Sequence, residues 1–124
     1  IMLSASEDET AQLIKKAKTD PDRRITYDPV NRPEVSNLLL IASLATGKKP
    51  EEIAEEIGDG GSGQLKKILT ESLNEYLRPL RARRKQLEQN LVYVRGVLRS
   101  GIAAAREEAI RTLEEVREVM NMKI

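Results

Sequence analysis

Leucine or tyrosine stands at positions 65, 69, 73, 76, 77, 80 and 87. Steps of three, four and seven are the period of an α-helix, so these side chains form one apolar stripe. The spacing predicts the longest helix of the chain. Pro79 falls inside it, where a proline removes one backbone hydrogen bond and crowds the carbonyl of Glu75. A kink near Glu75 is therefore expected. A chain organised around such a helix buries its stripe by laying shorter amphipathic helices against it.

Those shorter helices are legible on either side. Ser6 and Glu9 have the spacing of a capping box, and Leu13, Ile14 and Ala17 then share a face that excludes Lys15, Lys16 and Lys18. Pro21 ends that first helix, because the residue before a proline is pushed out of helical geometry. The stretch 24–28 reads as extended and Asp28-Pro29 as a turn. Pro33 suits the first position of a second helix, and Gly47 suits a left-handed C-cap. The apolar run Val35, Leu38, Leu39, Leu40, Ile41 and Leu44 goes nearly all round, the mark of a centrally buried helix. A short acidic helix follows over 50–57, with Ile53, Ala54 and Ile57 as its apolar side. Residues 58–63, Gly-Asp-Gly-Gly-Ser-Gly, read as a flexible hinge. The glycines followed by Lys66 and Lys67 lack the spacing of a phosphate-binding loop and a preceding strand. Beyond the long helix, a fifth over 91–99 and a sixth over 102–120 are expected. The last presents Ile102, Ala105, Ala109, Leu113, Val116 and Met120 on one face and packs as a closing helix. The fold class is all-α: an irregular bundle of about six helices, one long helix kinked near Pro79, and a short extended segment near 24–28, in a single domain over 1–124.

Composition excludes several functions. The chain has 124 residues with 21 Lys and Arg against 20 Asp and Glu, a net charge of +1. That balance lacks the strongly basic signature of a general nucleic-acid binder, so any RNA contact must come from a local patch. There is no cysteine and no histidine, which removes disulfides, thiolate sites and zinc. No nucleophile–base pair can be built, and only Asp and Glu pairs remain as acid–base groups. No apolar run approaches the roughly 18 residues of a membrane span. A cytoplasmic location is expected, or an organelle matrix.

One local patch does stand out. Arg78, Arg81, Arg83, Arg84, Lys85, Arg95 and Arg99 are accompanied between positions 78 and 99 only by Glu88. At about 100° per residue, Arg78, Arg81 and Lys85 project away from the leucine stripe. Like charges so placed repel. Either an anionic partner such as RNA phosphate takes them up, or they form a solvated basic face paired in part to the acidic third helix or the last helix. Reading bases in a single-stranded loop relies on aromatic stacking and base-edge hydrogen bonds. The chain has only Tyr27, Tyr76 and Tyr93 for the first. Tyr76 lies on the stripe and is expected in the core, while Tyr93 is ambiguous.

Taken in order, Thr19-Asp20 after a lysine-rich helix, Tyr27-Asp28, Pro33-Glu34-Val35-Ser36-Asn37-Leu38-Leu39, Leu77-Arg78-Pro79-Leu80, Leu98-Arg99-Ser100-Gly101, Ala105 to Ala109 and Met120-Asn121-Met122 form a pattern. Its order and spacing resemble the C-terminal helical part of bacterial-type tryptophanyl-tRNA synthetase, across nearly the whole chain. In that family Ile1 and Leu3 would lie just downstream of the KMSKS loop, and Met2 to Ser6 lacks the lysines that hold ATP phosphates. The resemblance implies a fragment of a larger class I enzyme, with the nucleotide-binding catalytic domain and its HIGH motif outside this chain and no catalytic or metal site within it. It implies an anticodon-recognising role, tRNA for tryptophan and the catalytic domain as partners, and a homodimeric parent that joins tryptophan to tRNA with ATP and Mg²⁺. The piece itself is expected to be a monomer or a weak dimer. Carried over, Arg78, Arg81, Arg84 and Lys85 become the candidates for tRNA contacts, with Lys15 and Lys18 serving the tRNA or the KMSKS loop. Pro33, Ser36 and Asn37 have structural roles, with Asn37 tying its helix to the segment at Tyr27. The chain departs from the pattern at Gly61-Ser62-Gly63, where many relatives carry a tyrosine between the glycines. The alternative is a helical protein-interaction module without RNA binding, for which an acidic helix and an arginine patch serve equally well.

Overall fold

The computed structural model describes residues 1–122. Five α-helices and one 3₁₀ turn account for most of them: α1 (Glu7–Lys16), α2 (Pro33–Thr46), α3 (Pro50–Ile57), the turn Gly58–Gly60, α4 (Gly61–Glu88) and α5 (Leu91–Val119). Among the described residues there is no strand, and the fold is all-α as expected. The count is five rather than six because 91–99 and 102–120 are one helix that runs through Ser100-Gly101. A glycine inside an exposed helix costs about 1 kcal/mol against alanine, which weakens a helix without ending it. That merger also makes α5, at 29 residues, longer than α4 at 28. The chain divides into two compact units, Ile1–Ala82 and Arg83–Ile124.

The first unit holds the core. Ile14 from α1, Ile25 from the connection, Val35, Leu38, Leu39 and Ala42 from α2, Ile53, Ala54 and Ile57 from α3, and Leu65 and Leu69 from α4 bury against one another. The capping box forms as read: the Glu9 amide donates to Ser6 Oγ at 3.1 Å and the Ser6 amide to Glu9 Oε2 at 2.8 Å. That bonding holds the Glu9 carboxyl below its ordinary pKa. α1 stops at Lys16, ahead of Pro21 as expected, and Lys66 Nζ from α4 satisfies its end by donating to the carbonyls of Lys15 and Ala17 at 3.1 and 2.7 Å. α2 opens on Pro33 and closes on Gly47, whose φ of +76° is the left-handed cap. It is buried on one side only, since Leu40 and Leu44 are exposed, so the reading of a fully enclosed helix is corrected. α3 has the limits expected and packs against α2. The hinge is shorter than expected: 58–60 form the 3₁₀ turn and Gly61, at φ +76°, already belongs to α4.

The connection between α1 and α2 has no regular structure at 25–28, and it is fixed by side chains. Arg32 donates from Nε and an Nη to the two oxygens of Asp20 at 2.8 and 2.6 Å, and from the other Nη to the Arg24 carbonyl and Thr26 Oγ1 at 2.6 and 2.8 Å. The Arg32 guanidinium holds the Asp20 carboxyl below its ordinary pKa, and Asp20 in turn raises that of Arg32. Asp28 is likewise held low, by the Asn31 side-chain amide and then by backbone amides. The tie from α2 to this segment comes from Ser36, not Asn37: the Asp28 amide donates to Ser36 Oγ at 2.9 Å. Ser36 is buried and Asn37 exposed, because 36 rather than 37 falls on the buried arc with Val35 and Leu39.

α4 passes through Pro79 without a break in the helix. Its buried side does not follow the leucine stripe to the end. Leu65 and Leu69 are fully buried, whereas further along the buried positions are Leu77 and Asn74, and Tyr76 and Leu80 are exposed. The buried arc rotates round the helix by about 100° or more over three turns. Tyr76 is thereby left outside the core that the stripe assigned to it.

The second unit consists of the end of α4 and α5. Asn90 Oδ1 accepts from the Tyr93 amide at 3.1 Å and starts α5. No residue of α5 is buried, so it does not bury an apolar face as the expected closing helix would.

Candidate nucleic-acid interface

Asn74, Arg78 and Arg81 stand at i, i+4 and i+7 on α4 and meet the first turns of α1. Asn74 Nδ2 donates to the Glu7 carbonyl at 3.2 Å, and Arg78 Nε donates to Glu7 Oε1 at 3.1 Å. Arg81 is half-buried, donating to Asn74 Oδ1 and to Thr10 Oγ1, both at 2.8 Å. Thr10 is fully buried, and its hydroxyl donates on to the Ser6 carbonyl at 2.8 Å. The Nε of Arg81 is buried without a partner among the described residues. Arg81 therefore does not project into solvent as the helical wheel alone indicated. The rotation of the buried arc carries its side of α4 under α1.

The remaining candidates differ in what they already hold. Arg84 pairs with Glu88 at 2.9 Å, one turn further along α4, and both are exposed. Lys85, Lys15 and Lys18 are exposed, and no hydrogen bond or ion pair engages their side chains among the described residues. Within the first unit, Arg78 and Arg81 meet α1 at Glu7 and Thr10, while Lys15 lies about 8 Å beyond Thr10 and about 12 Å beyond Glu7 along that helix. The structure brings Arg78 and Arg81 together and keeps Lys15 apart from them.

Lys15 instead joins residues that sequence reasoning had set aside. It lines an open groove of about 320 Å³ with Ala11, Gly63, Lys66, Lys67 and Thr70. Lys66 and Lys67 were visible only as lysines after a glycine cluster, which matched no phosphate-binding spacing. Nothing in the local sequence marks Lys66 as the residue that would cap α1. Asn74 carried a signal, the one asparagine on a leucine-rich helix, of the kind that a buried hydrogen bond explains. Among the described residues no three acidic side chains gather to hold a metal ion, and no helix is long and apolar enough to cross a membrane.

Known proteins resemble this chain along most of its length. The family described as class I tRNA synthetases (W and Y) matches residues 1–78. A tryptophan–tRNA ligase of Nostoc sp. is 39% identical over 110 residues, covering 89% of this chain and 33% of its own length. That of Thermosynechococcus vestitus is 38% identical over 117 residues, 94% of this chain and 36% of its own length. The mitochondrial tryptophan–tRNA ligase of Dictyostelium discoideum is 33% identical over 122 residues, 98% of this chain and 32% of its own length. The chain spans about a third of the length of the curated relatives it matches. It belongs to the class I tRNA synthetases of the W and Y group.

Proposed function

We propose that the chain is the helical, tRNA anticodon-recognising part of a tryptophan–tRNA ligase, whose whole joins tryptophan to its tRNA with ATP and Mg²⁺ as a homodimer in the cytoplasm or an organelle matrix. The observation that carries this reading is the family match over residues 1–78, together with relatives named tryptophan–tRNA ligase. Among the described residues no three acidic side chains gather as a Mg²⁺ site would need. ATP and Mg²⁺ are assigned to the catalytic domain, which is the proposed partner of this part.

Phosphate contact follows from the pairing. Among the described residues Lys85, Lys15 and Lys18 have no protein partner to give up, so each neutralises a phosphate at the cost of its hydration alone and adds affinity by releasing counterions. Arg78 and Arg84 are solvent-exposed ion pairs, and exchanging one exposed carboxylate for a phosphate costs little. Arg81 serves this interface by holding α1 to α4.

The test is filter binding of the chain to tRNA for tryptophan and to a non-cognate tRNA, at low and moderate salt. The reading predicts cognate preference, and a salt slope that drops by roughly one for each of Lys15→Gln, Lys18→Gln and Lys85→Gln. Equal binding to both tRNAs, or none, sinks it. A protein-interaction module without RNA binding is the second reading, favoured by the exposed apolar side chains of α5.

A further inference from the structure

Arg111 of α5 has Glu107, Glu108, Glu114 and Glu115 at three or four residues on either side, and it pairs with Glu108 at 2.6 Å. Arg95, Arg99 and Arg106 of the same helix have no acidic residue at any of those positions. Steps of four and seven residues carry the three through about 40° or less of rotation, so they form one row along the helix. All three are exposed, and among the described residues no hydrogen bond or ion pair engages their side chains. Arg95 and Arg99, one turn apart, repel each other. The acidic residues of α5 lie on other faces: Glu114 is the nearest in rotation, about 60° from Arg99, while Glu108 and Glu115 fall on the far flank.

A helix with five glutamates to distribute has thus surrounded one arginine with acids and left three others in a row with none. Pairs at these spacings would be the ready way to neutralise them. Their absence leaves a line of cations about 16 Å long, suited to an elongated anion with repeated charge. A single small anion touches one or two guanidinium groups, whereas a nucleic-acid strand offers a phosphate to each. Guanidinium also donates in a planar fork that matches phosphate oxygens.

We infer that Arg95, Arg99 and Arg106 form a phosphate-binding row on α5 that takes an RNA strand. The tRNA identity of that strand rests on the function proposed above; the row itself does not. Arg111, already held by Glu108, takes no part.

The experiment compares the whole chain with the triple variant Arg95→Gln, Arg99→Gln, Arg106→Gln and with Arg111→Gln, using tRNA for tryptophan and polyuridylate as separate probes over a range of salt. Glutamine is a good helix former, and circular dichroism checks that α5 persists. The expected result is at least a tenfold loss of affinity at low salt in the triple variant. The slope of log K against log salt falls by about two to three units, with Arg111→Gln unchanged. Retained tRNA binding by the triple variant overturns the row and leaves the proposed function standing. Polyuridylate binding that is lost in the triple variant, with no tRNA binding by any form, supports the row and overturns the tRNA reading. Binding of neither probe by the unaltered chain overturns both.

Discussion

α2 and α5 carry similar proportions of apolar side chains and use them in opposite ways. Of the 14 residues of α2, Val35, Ser36, Leu38, Leu39 and Ala42 are buried; of the 29 in α5, none is. Leu39 is 0% exposed and Leu113, on the apolar stripe of α5, is 47% exposed. The contrast teaches that a 3.6-residue stripe specifies which side of a helix is apolar and says nothing about what covers it. α2 is covered because α3 follows after a three-residue turn and folds back on it, a local connection that leaves little choice. α5 follows its neighbour just as closely, yet among the described residues none of its side chains is buried.

This contrast makes the largest prediction. Leu39→Ala is expected to cost about 3 kcal/mol through lost transfer energy and an unfilled cavity, while Leu113→Ala costs less than about 0.5 kcal/mol. Urea denaturation of both variants measures the difference, and equal losses would show α5 to be packed in solution.

Next in size is the connection that holds α2 in place. Arg32→Met leaves the Asp20 carboxylate and two further acceptors without their donor, a loss of about 2 kcal/mol. The pH dependence has a definite sign. Asp20 has a folded pKa lowered below the ordinary 3.8, so its contribution is fully present above that value and is lost as pH falls through the lowered one. The stability gap between the parent chain and Arg32→Met therefore narrows on going from about pH 6 to about pH 2.5. A gap that widens on acidification would contradict the assignment.

A smaller effect separates two cations on α4 that look alike in the sequence. Arg81→Met should cost about 1 to 2 kcal/mol, since Asn74 and Thr10 lose a charged donor, and amide exchange in α1 should accelerate. Lys85→Met should change neither. The smallest effect is a gain: Gly101 has open space where a side chain would begin, so Gly101→Ala should stabilise α5 by about 1 kcal/mol. It should raise helical ellipticity without altering the unfolding of the core.

Local chemistry was legible where it acts over three or four residues. The Ser6–Glu9 box, Pro33 and Gly47 bounding α2, and the limits of α3 all follow from caps and breakers whose partners are adjacent in sequence. Interactions across longer separations were not. Asp20 and Arg32 are twelve residues apart with no pattern between them, and Lys66 caps a helix about fifty residues before it. The long helix was read correctly as a helix and wrongly as one face. A wheel drawn for α4 assumes that its neighbour runs parallel to it, and the drift from Leu65 to Leu77 and Asn74 shows that the cover changes along its length. That drift alone moved Arg81 from a surface candidate to a half-buried tie and Tyr76 from the core to the surface. Family membership was legible because order and spacing over the whole chain survive such local errors.

The attachment of α1 bears on how displacement travels through the first unit. Only Thr10 and Ile14 of this helix are buried, and its two ends are pinned by different parts of α4: Lys66 at the Lys15 and Ala17 carbonyls, Asn74 and Arg78 at Glu7, and Arg81 at Thr10. A greasy contact lets one helix slide on another by small steps, but these bonds break if the helix moves lengthwise by even half a turn. α1 is thus a rod riveted at both ends, and a push applied ahead of Ser6 is handed to α4 through these bonds rather than absorbed by slippage between the two helices.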